Sequence, residues 1–168
     1  KFTPGNERWR GVPFYVRAGK RAGRKLTRVD MVYRRPERGA FAGMDLGFPN
    51  VFSFGIQPGE RVNFTMITKH PGPKLCFARR DMGLDYRPDG GAADYPTDYE
   101  RLLIDAMSGD RTLFLGPAEM RTMWEFLEPL LRCWRETPEA CPLLPYAAGS
   151  PGPEAAAGLL RRDGREWL

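Results

Sequence analysis

The sequence predicts an α+β fold: a large, mainly antiparallel sheet with helices packed on one face. Three observations carry this reading. Apolar residues recur with a period of two through the N-terminal half and with a period near 3.6 from Thr97 onward. Strand patterns come first and helical patterns last, without the β-α-β alternation that builds parallel sheets. No Gly-x-Gly-x-x-Gly or P-loop follows any predicted strand, which argues against a doubly wound nucleotide-binding fold.

Taken in order, residues 1–10 read as a strand tail or a loop leading in. Val12 to Arg17 alternates, with Val12, Phe14 and Val16 on one face and Tyr15 and Arg17 on the other. That is a half-buried strand, with Pro13 near its start where a missing N–H does least harm. Leu26 to Tyr33 forms a second strand, and the Gly-, Pro- and Arg-rich stretch from Arg34 to Pro49 is a long connection. Val51–Gln57 and Arg61–Thr68 flank Pro58-Gly59 and read as a hairpin. Val62, Phe64 and Met66 supply its buried face, opposite Arg61, Asn63 and Thr65. His70-Pro71-Gly72-Pro73 breaks the pattern as a turn, and Cys76 to Tyr86 holds one more strand. Arg87 to Tyr95 is a linker. Thr97 and Glu100 then have capping-box spacing, and a stripe of Tyr99, Leu102, Leu103, Ala106 and Met107 runs to a helix end at Gly109. A second helix starts at Pro117, carries Met120, Met123, Trp124, Leu127, Leu131 and Trp134 on one side, and should kink at Pro129. After a Pro- and Gly-rich crossing a third runs from about Glu154 to Arg162, capped by Gly164.

At 168 residues the chain is one domain by prior, long enough for a substantial core. No apolar run approaches the ~20 residues that span a bilayer, so no membrane partner is expected. No signal peptide is visible. The chain begins at Lys1 rather than Met, so we expect a processed product or part of a longer polypeptide. A formal net charge of +5 admits anionic partners. No nucleic-acid motif accompanies it, so an anionic metabolite is preferred to nucleic acid. The odd count of three cysteines (Cys76, Cys133, Cys141) contains no Cys-x-x-Cys, and His70 is the sole histidine. A zinc site would have to recruit scattered carboxylates, and none is expected. Free, reduced thiols in the cytoplasm are the expectation. A Cys133–Cys141 bridge has no positive support in the sequence.

The candidate site lies after the first predicted strand. Ala18 to Lys25 carries four cationic residues (Lys20, Arg21, Arg24, Lys25) and two glycines (Gly19, Gly23). A strand ending in such a turn can hold an anion: lysine brings a mobile charge with three donors, and glycine lets the backbone approach closely. A plain solvated basic loop is the competing reading.

Four stretches give the turn a context. Arg8, Trp9, Gly11, Val12, Pro13, Phe14, Arg17, Gly19 and Lys20 fit "R-W-x-G-V-P-F-x-x-R-x-G-K". Tyr99 to Phe114 fits "Y-E-R-L-L-L-D-x-M-x-G-D-x-T-L-F", Tyr146 to Pro153 fits "Y-x-x-G-S-x-G-P", and Arg162 to Trp167 fits "R-D-G-R-x-W". In these motifs and their order the chain resembles the C-terminal domain of glucose-6-phosphate dehydrogenase. The resemblance covers nearly the whole chain. It implies an NADP-dependent oxidation of glucose 6-phosphate at carbon 1 to a lactone, at the entry of the oxidative pentose phosphate pathway. The family's catalytic histidine, its "R-I-D-H-Y-L-G-K" phosphate motif and its dinucleotide-binding domain lie upstream of the region matched, so this chain alone should be inactive.

By match to the motif, Lys20 and Lys25 reach the sugar phosphate, and Gln57 corresponds to a glutamine that reaches the sugar. No catalytic or metal-binding residue is expected in the chain. A sheet covered by helices on one side leaves its other face needing cover, and with an aromatic content of 12% pairing with a second copy through that face is the expected solution. Animal members hold a second, structural NADP against the sheet, and Arg17 fits that site. Leu26, Gly55, Asn63 and Thr65 replace a basic residue, an arginine, an aromatic and a lysine, so no structural NADP is expected. The alternative function is a stand-alone, non-catalytic dimerisation or interaction module of the same fold. A basic nucleic-acid-binding domain is a third reading.

Overall fold

The computed structural model describes residues 1–39, 42–86 and 96–168. It divides into two compact units, Lys1–Gly90 with Ala147–Leu168, and Gly91–Tyr146. Together they give an α+β chain of antiparallel strands followed by helices. The linker expected from Arg87 to Tyr95 lies outside the described residues.

The first unit is built on four antiparallel strands in sequential order: β1 (Thr27–Val32), β2 (Val51–Gln57), β3 (Arg61–Lys69) and β4 (Phe77–Asp85). Pro58-Gly59 turns β2 into β3, with a cis Gln57–Pro58 bond and Phe52 opposite Phe64. Register brings Val29, Met31, Phe52, Phe54, Val62, Phe64, Met82 and Leu84 to one face. The rings of Phe52 and Phe64 lie 6.0 Å apart, and Tyr33 meets Phe64 edge-on at 6.2 Å. The opposite face carries Arg28, Asp30, Ser53, Arg61, Asn63, Thr65, Asp81 and Asp85. The expected burial is inverted on β3: the buried residue is Thr65, on the polar face, while Val62, Phe64 and Met66 are half-buried. Alternation dictates which residues share a face, but cover depends on what lies over that face.

The strand expected at Val12–Arg17 is not a ladder strand. Phe14 makes one isolated bridge, exchanging N–H···O bonds of 2.8 and 3.0 Å with Phe2. Pro13 has no N–H to extend it, and the Val12 N–H donates to the Trp9 carbonyl at 3.0 Å. Residues 1–10, expected as a lead-in, contain a one-turn 3₁₀ helix at Glu7–Trp9 capped by Asn6. His70 sits in the β3–β4 turn, as expected, with its N–H on the Cys76 carbonyl at 2.7 Å. In the same unit, α3 (Glu154–Arg161) buries Leu160; its C-cap is Arg162, and Gly164, expected as the cap, takes its left-handed conformation two residues further on.

The second unit holds α1 (Asp98–Ser108) and α2 (Pro117–Glu136). Thr97 and Glu100 close the capping box at the start of α1, and Gly109 ends it at φ +72°. The α2 helix runs from Pro117 through Pro129 as one element. Neither helix buries a residue. The expectation of three free thiols is overturned: Cys133 and Cys141 are joined, with Cα atoms 6.2 Å apart. The physical reason is the helix end. The Thr137 carbonyl accepts the Cys141 N–H at 2.9 Å, folding the chain back over the last turn of α2. Cys76 is free and exposed.

Candidate functional site

The cationic turn is exposed throughout, Lys20 and Lys25 included. Its backbone is nonetheless fixed. Arg21 takes φ +55°, a left-handed conformation rare for a side chain of this size. Its carbonyl accepts the N–H of Gly149 at 2.8 Å. Gly149 itself sits at φ +83°. A Cβ on Gly23 would stand 2.6 Å from the Gly149 carbonyl oxygen, so only glycine fits there.

The approach to the turn is held by the C-terminal segment. The Tyr15 hydroxyl donates to the Asp163 carboxylate. Lys1 Nζ pairs with the same carboxylate at 2.6 Å, and Arg165 Nη1 donates to the Tyr15 hydroxyl at 3.1 Å. The Lys1 hydrogen bond first, and the Tyr15 hydroxyl next, hold the Asp163 carboxyl below its usual range. The same contact raises the Lys1 ammonium. Arg17 lies over the Trp167 ring at 4.6 Å, a cation–π contact.

Beyond the turn the chain enters β1 at Thr27, and Thr27 stands opposite Gln57 at the end of β2. The half-buried Gln57 and Lys25, two residues before Thr27, thus share one end of the β1–β2 ladder. Lys20 directly precedes Arg21, whose carbonyl is held. Lys20 and Lys25 thus flank the stretch of the turn that meets Gly149, and Gln57 pairs with the first residue of the strand that follows it. Sequence reasoning missed Gly149, Gly23, Tyr15 and Asp163 as supports of the turn. The only signal was that Gly149 and Asp163 fall inside motifs without an assigned role.

The profile of the family described as "Glucose-6-phosphate dehydrogenase, C-terminal domain" matches residues 1–168. The chain belongs to that family. It is 40% identical over 166 residues to "Glucose-6-phosphate 1-dehydrogenase 2" of Mycobacterium tuberculosis, covering 95% of this chain and 31% of that protein. It is 34% identical to "Glucose-6-phosphate 1-dehydrogenase" of Dictyostelium discoideum, covering 97% of this chain and 32% of that one. A solved "Glucose-6-phosphate dehydrogenase in complex with its substrate glucose-6-phosphate" shares the fold at TM-score 0.83 and 28% identity, over 99% of this chain and 34% of that chain. The chain thus spans about a third of the length of these relatives. The chain has no helix among its described residues long and apolar enough to cross a membrane.

The polar sheet face carries charges of both signs. Arg28, Arg61 and Arg79 point to cationic character, yet each stands beside an aspartate: Arg28–Asp30 at 2.8 Å, Arg61–Asp85 at 3.0 Å and Arg79–Asp81 at 3.7 Å. The hydroxyls are spoken for as well. Ser53 donates to Asp30 at 2.6 Å, and Thr65 donates to Asp81 while accepting from Asn63 at 3.2 Å. The cations of this face are thus each matched by a carboxylate.

Proposed function

We propose that this chain is the substrate-binding and dimer-forming C-terminal domain of an NADP-dependent glucose-6-phosphate dehydrogenase. In this reading the enzyme is cytoplasmic and oxidises glucose 6-phosphate to 6-phosphogluconolactone in the oxidative pentose phosphate pathway. The whole chain serves as one domain, and the dinucleotide-binding domain is a separate part of the enzyme. The observation that carries the reading is the braced cationic turn leading into the β1–β2 end where Gln57 sits.

The work divides accordingly. Lys20 and Lys25 grip the phosphate dianion with mobile ammonium groups, and Gln57 holds a sugar hydroxyl by its amide. Together they place the sugar so that a base elsewhere in the enzyme takes the carbon-1 hydroxyl proton. When bound, NADP supplies the hydride acceptor. The sheet's apolar face, with Met82 61% and Leu84 60% exposed, is the surface through which two copies pair. Nucleic acid and membrane have no role in this reading, and no second NADP is held on the sheet.

Steady-state kinetics of the full-length enzyme carry the test. Lys20→Ala and Lys25→Ala should each raise KM for glucose 6-phosphate about tenfold or more, the scale of one charge-assisted contact to a phosphate. Unchanged KM in both variants would sink the reading.

A further inference from the structure

Two observations set the support of the turn apart from an ordinary surface loop. First, the contact between Gly23 and Gly149 is backbone against backbone: a Cβ at position 23 would meet a carbonyl oxygen at 2.6 Å, with no flexible side chain to yield. Second, the segment on the other side of that contact is itself anchored. The Ser150 N–H donates to the Ala147 carbonyl at 3.1 Å, and the Gly152 N–H to the Ser150 hydroxyl at 3.3 Å. The segment then runs through Pro153 into α3, where Leu160 is among the few buried apolar residues. Just past α3, Asp163 takes the Tyr15 hydroxyl, ahead of the turn.

We propose that residues 147–163 form a brace for the cationic turn, with Gly23 and Gly149 as positioning residues that set where Lys20 and Lys25 stand. Gly149 holds the Arg21 carbonyl beside Lys20, and its own carbonyl excludes any side chain at Gly23, two residues before Lys25. Tyr15 and Asp163 fix the entry of the turn, and the Thr27–Gln57 pair fixes its exit. Lysine side chains are long and flexible, so the precision of a two-lysine phosphate grip has to come from the backbone beneath them. The brace supplies it without touching the substrate. This inference rests on the reading of the turn as the phosphate grip.

The test is Gly23→Ala in the full-length enzyme, with Gly5→Ala as control because a Cβ there meets nothing within 4 Å. Gly23→Ala should raise KM for glucose 6-phosphate about tenfold, as for loss of one phosphate contact. It should leave kcat within about twofold and weaken inhibition by inorganic phosphate in parallel. KM for unphosphorylated glucose should not move. Tyr15→Phe, which loosens the brace without adding an atom, should raise KM for the phosphorylated sugar about threefold. It keeps the test open should Gly23→Ala fail to fold. If Lys20→Ala and Lys25→Ala raise KM while Gly23→Ala behaves like Gly5→Ala, or Tyr15→Phe has no effect, the brace is wrong and the phosphate grip stands. A Gly23→Ala enzyme that loses kcat for both sugars equally would also overturn it. If neither lysine variant shifts KM, the function proposed above fails instead.

Discussion

The sheet presents two faces made by one alternation and finished in opposite ways. On the polar face Arg28, Arg61 and Arg79 each meet an aspartate across or along the strands, and Ser53, Asn63 and Thr65 close the remaining hydrogen bonds. That face satisfies itself. On the other, Val29, Met31, Phe54, Met82 and Leu84 line up in register and stay exposed. Cross-strand aromatic contacts such as Phe52–Phe64 stabilise the sheet, but they do not take these side chains out of water. A polar face can be completed by its own chain, because each hydrogen bond needs one partner within reach. An apolar face is completed only by area.

The largest effect should come from charging the open face. Leu84→Asp would place an unpaired carboxylate in the surface proposed for pairing, where its desolvation would be costly. In the full-length enzyme, sedimentation equilibrium should show self-association weakened about a hundredfold or more. Arg61→Ala changes the opposite face of the neighbouring strand and should leave self-association intact. Equal weakening by both substitutions would mean that the two faces are not distinct in this respect.

How legible this was in the sequence follows from the range of each interaction. The hairpin around Pro58-Gly59 and the Thr97 cap were readable because their partners lie within a few residues. The helix over Pro117–Glu136 was readable from its start signal and stripe, and it runs on through Pro129 as one element. Val12–Arg17 misled, because alternation describes a strand's faces and says nothing of whether its edges find partners. Only Phe14 finds one, in Phe2. The lysines of the candidate site stood out by type and by motif. Their brace did not, since a backbone contact between Gly23 and Gly149 leaves no chemical signature in either residue. The Cys133–Cys141 link likewise depended on how the chain turns at Thr137, which the spacing alone leaves open.

A smaller effect is expected from acid on the polar face. The Thr65 hydroxyl, then the Arg79 charge and the Asn63 amide, hold the Asp81 carboxyl below its ordinary value of 3.8. Its folded pKa is therefore lower than its unfolded one. The stability it contributes is present above about pH 4 and is lost as pH falls from there through the lowered folded value. Asp81→Asn should flatten that part of the acid-unfolding profile while leaving behaviour at neutral pH close to that of the parent. Glu100, Asp110 and Asp163 are lowered too, so a residual acid dependence should survive the substitution. A profile identical to the parent's between about pH 5 and 2 would mean Asp81 has no such link to folding.

The smallest expected effect is none at all, and it is the sharpest probe of the polar face. A dinucleotide phosphate needs cations in excess, and Arg28, Arg61 and Arg79 are each neutralised by a neighbouring carboxylate. Adding phosphates would bring them against Asp30, Asp81 and Asp85 as well as against the arginines. NADP should therefore leave the thermal midpoint of this 168-residue chain unchanged. A ligand bound at one hundred times its dissociation constant would stabilise the fold by about 2.7 kcal/mol and raise the midpoint by several degrees, so the two outcomes are well separated. A clear rise would show that the ion pairs open for a nucleotide, and the self-completed face would become a binding surface. If no rise is seen in the parent, Asp30→Asn with Asp81→Asn should release two arginines, and a rise appearing only in that double variant would identify the paired carboxylates as what keeps the dinucleotide off.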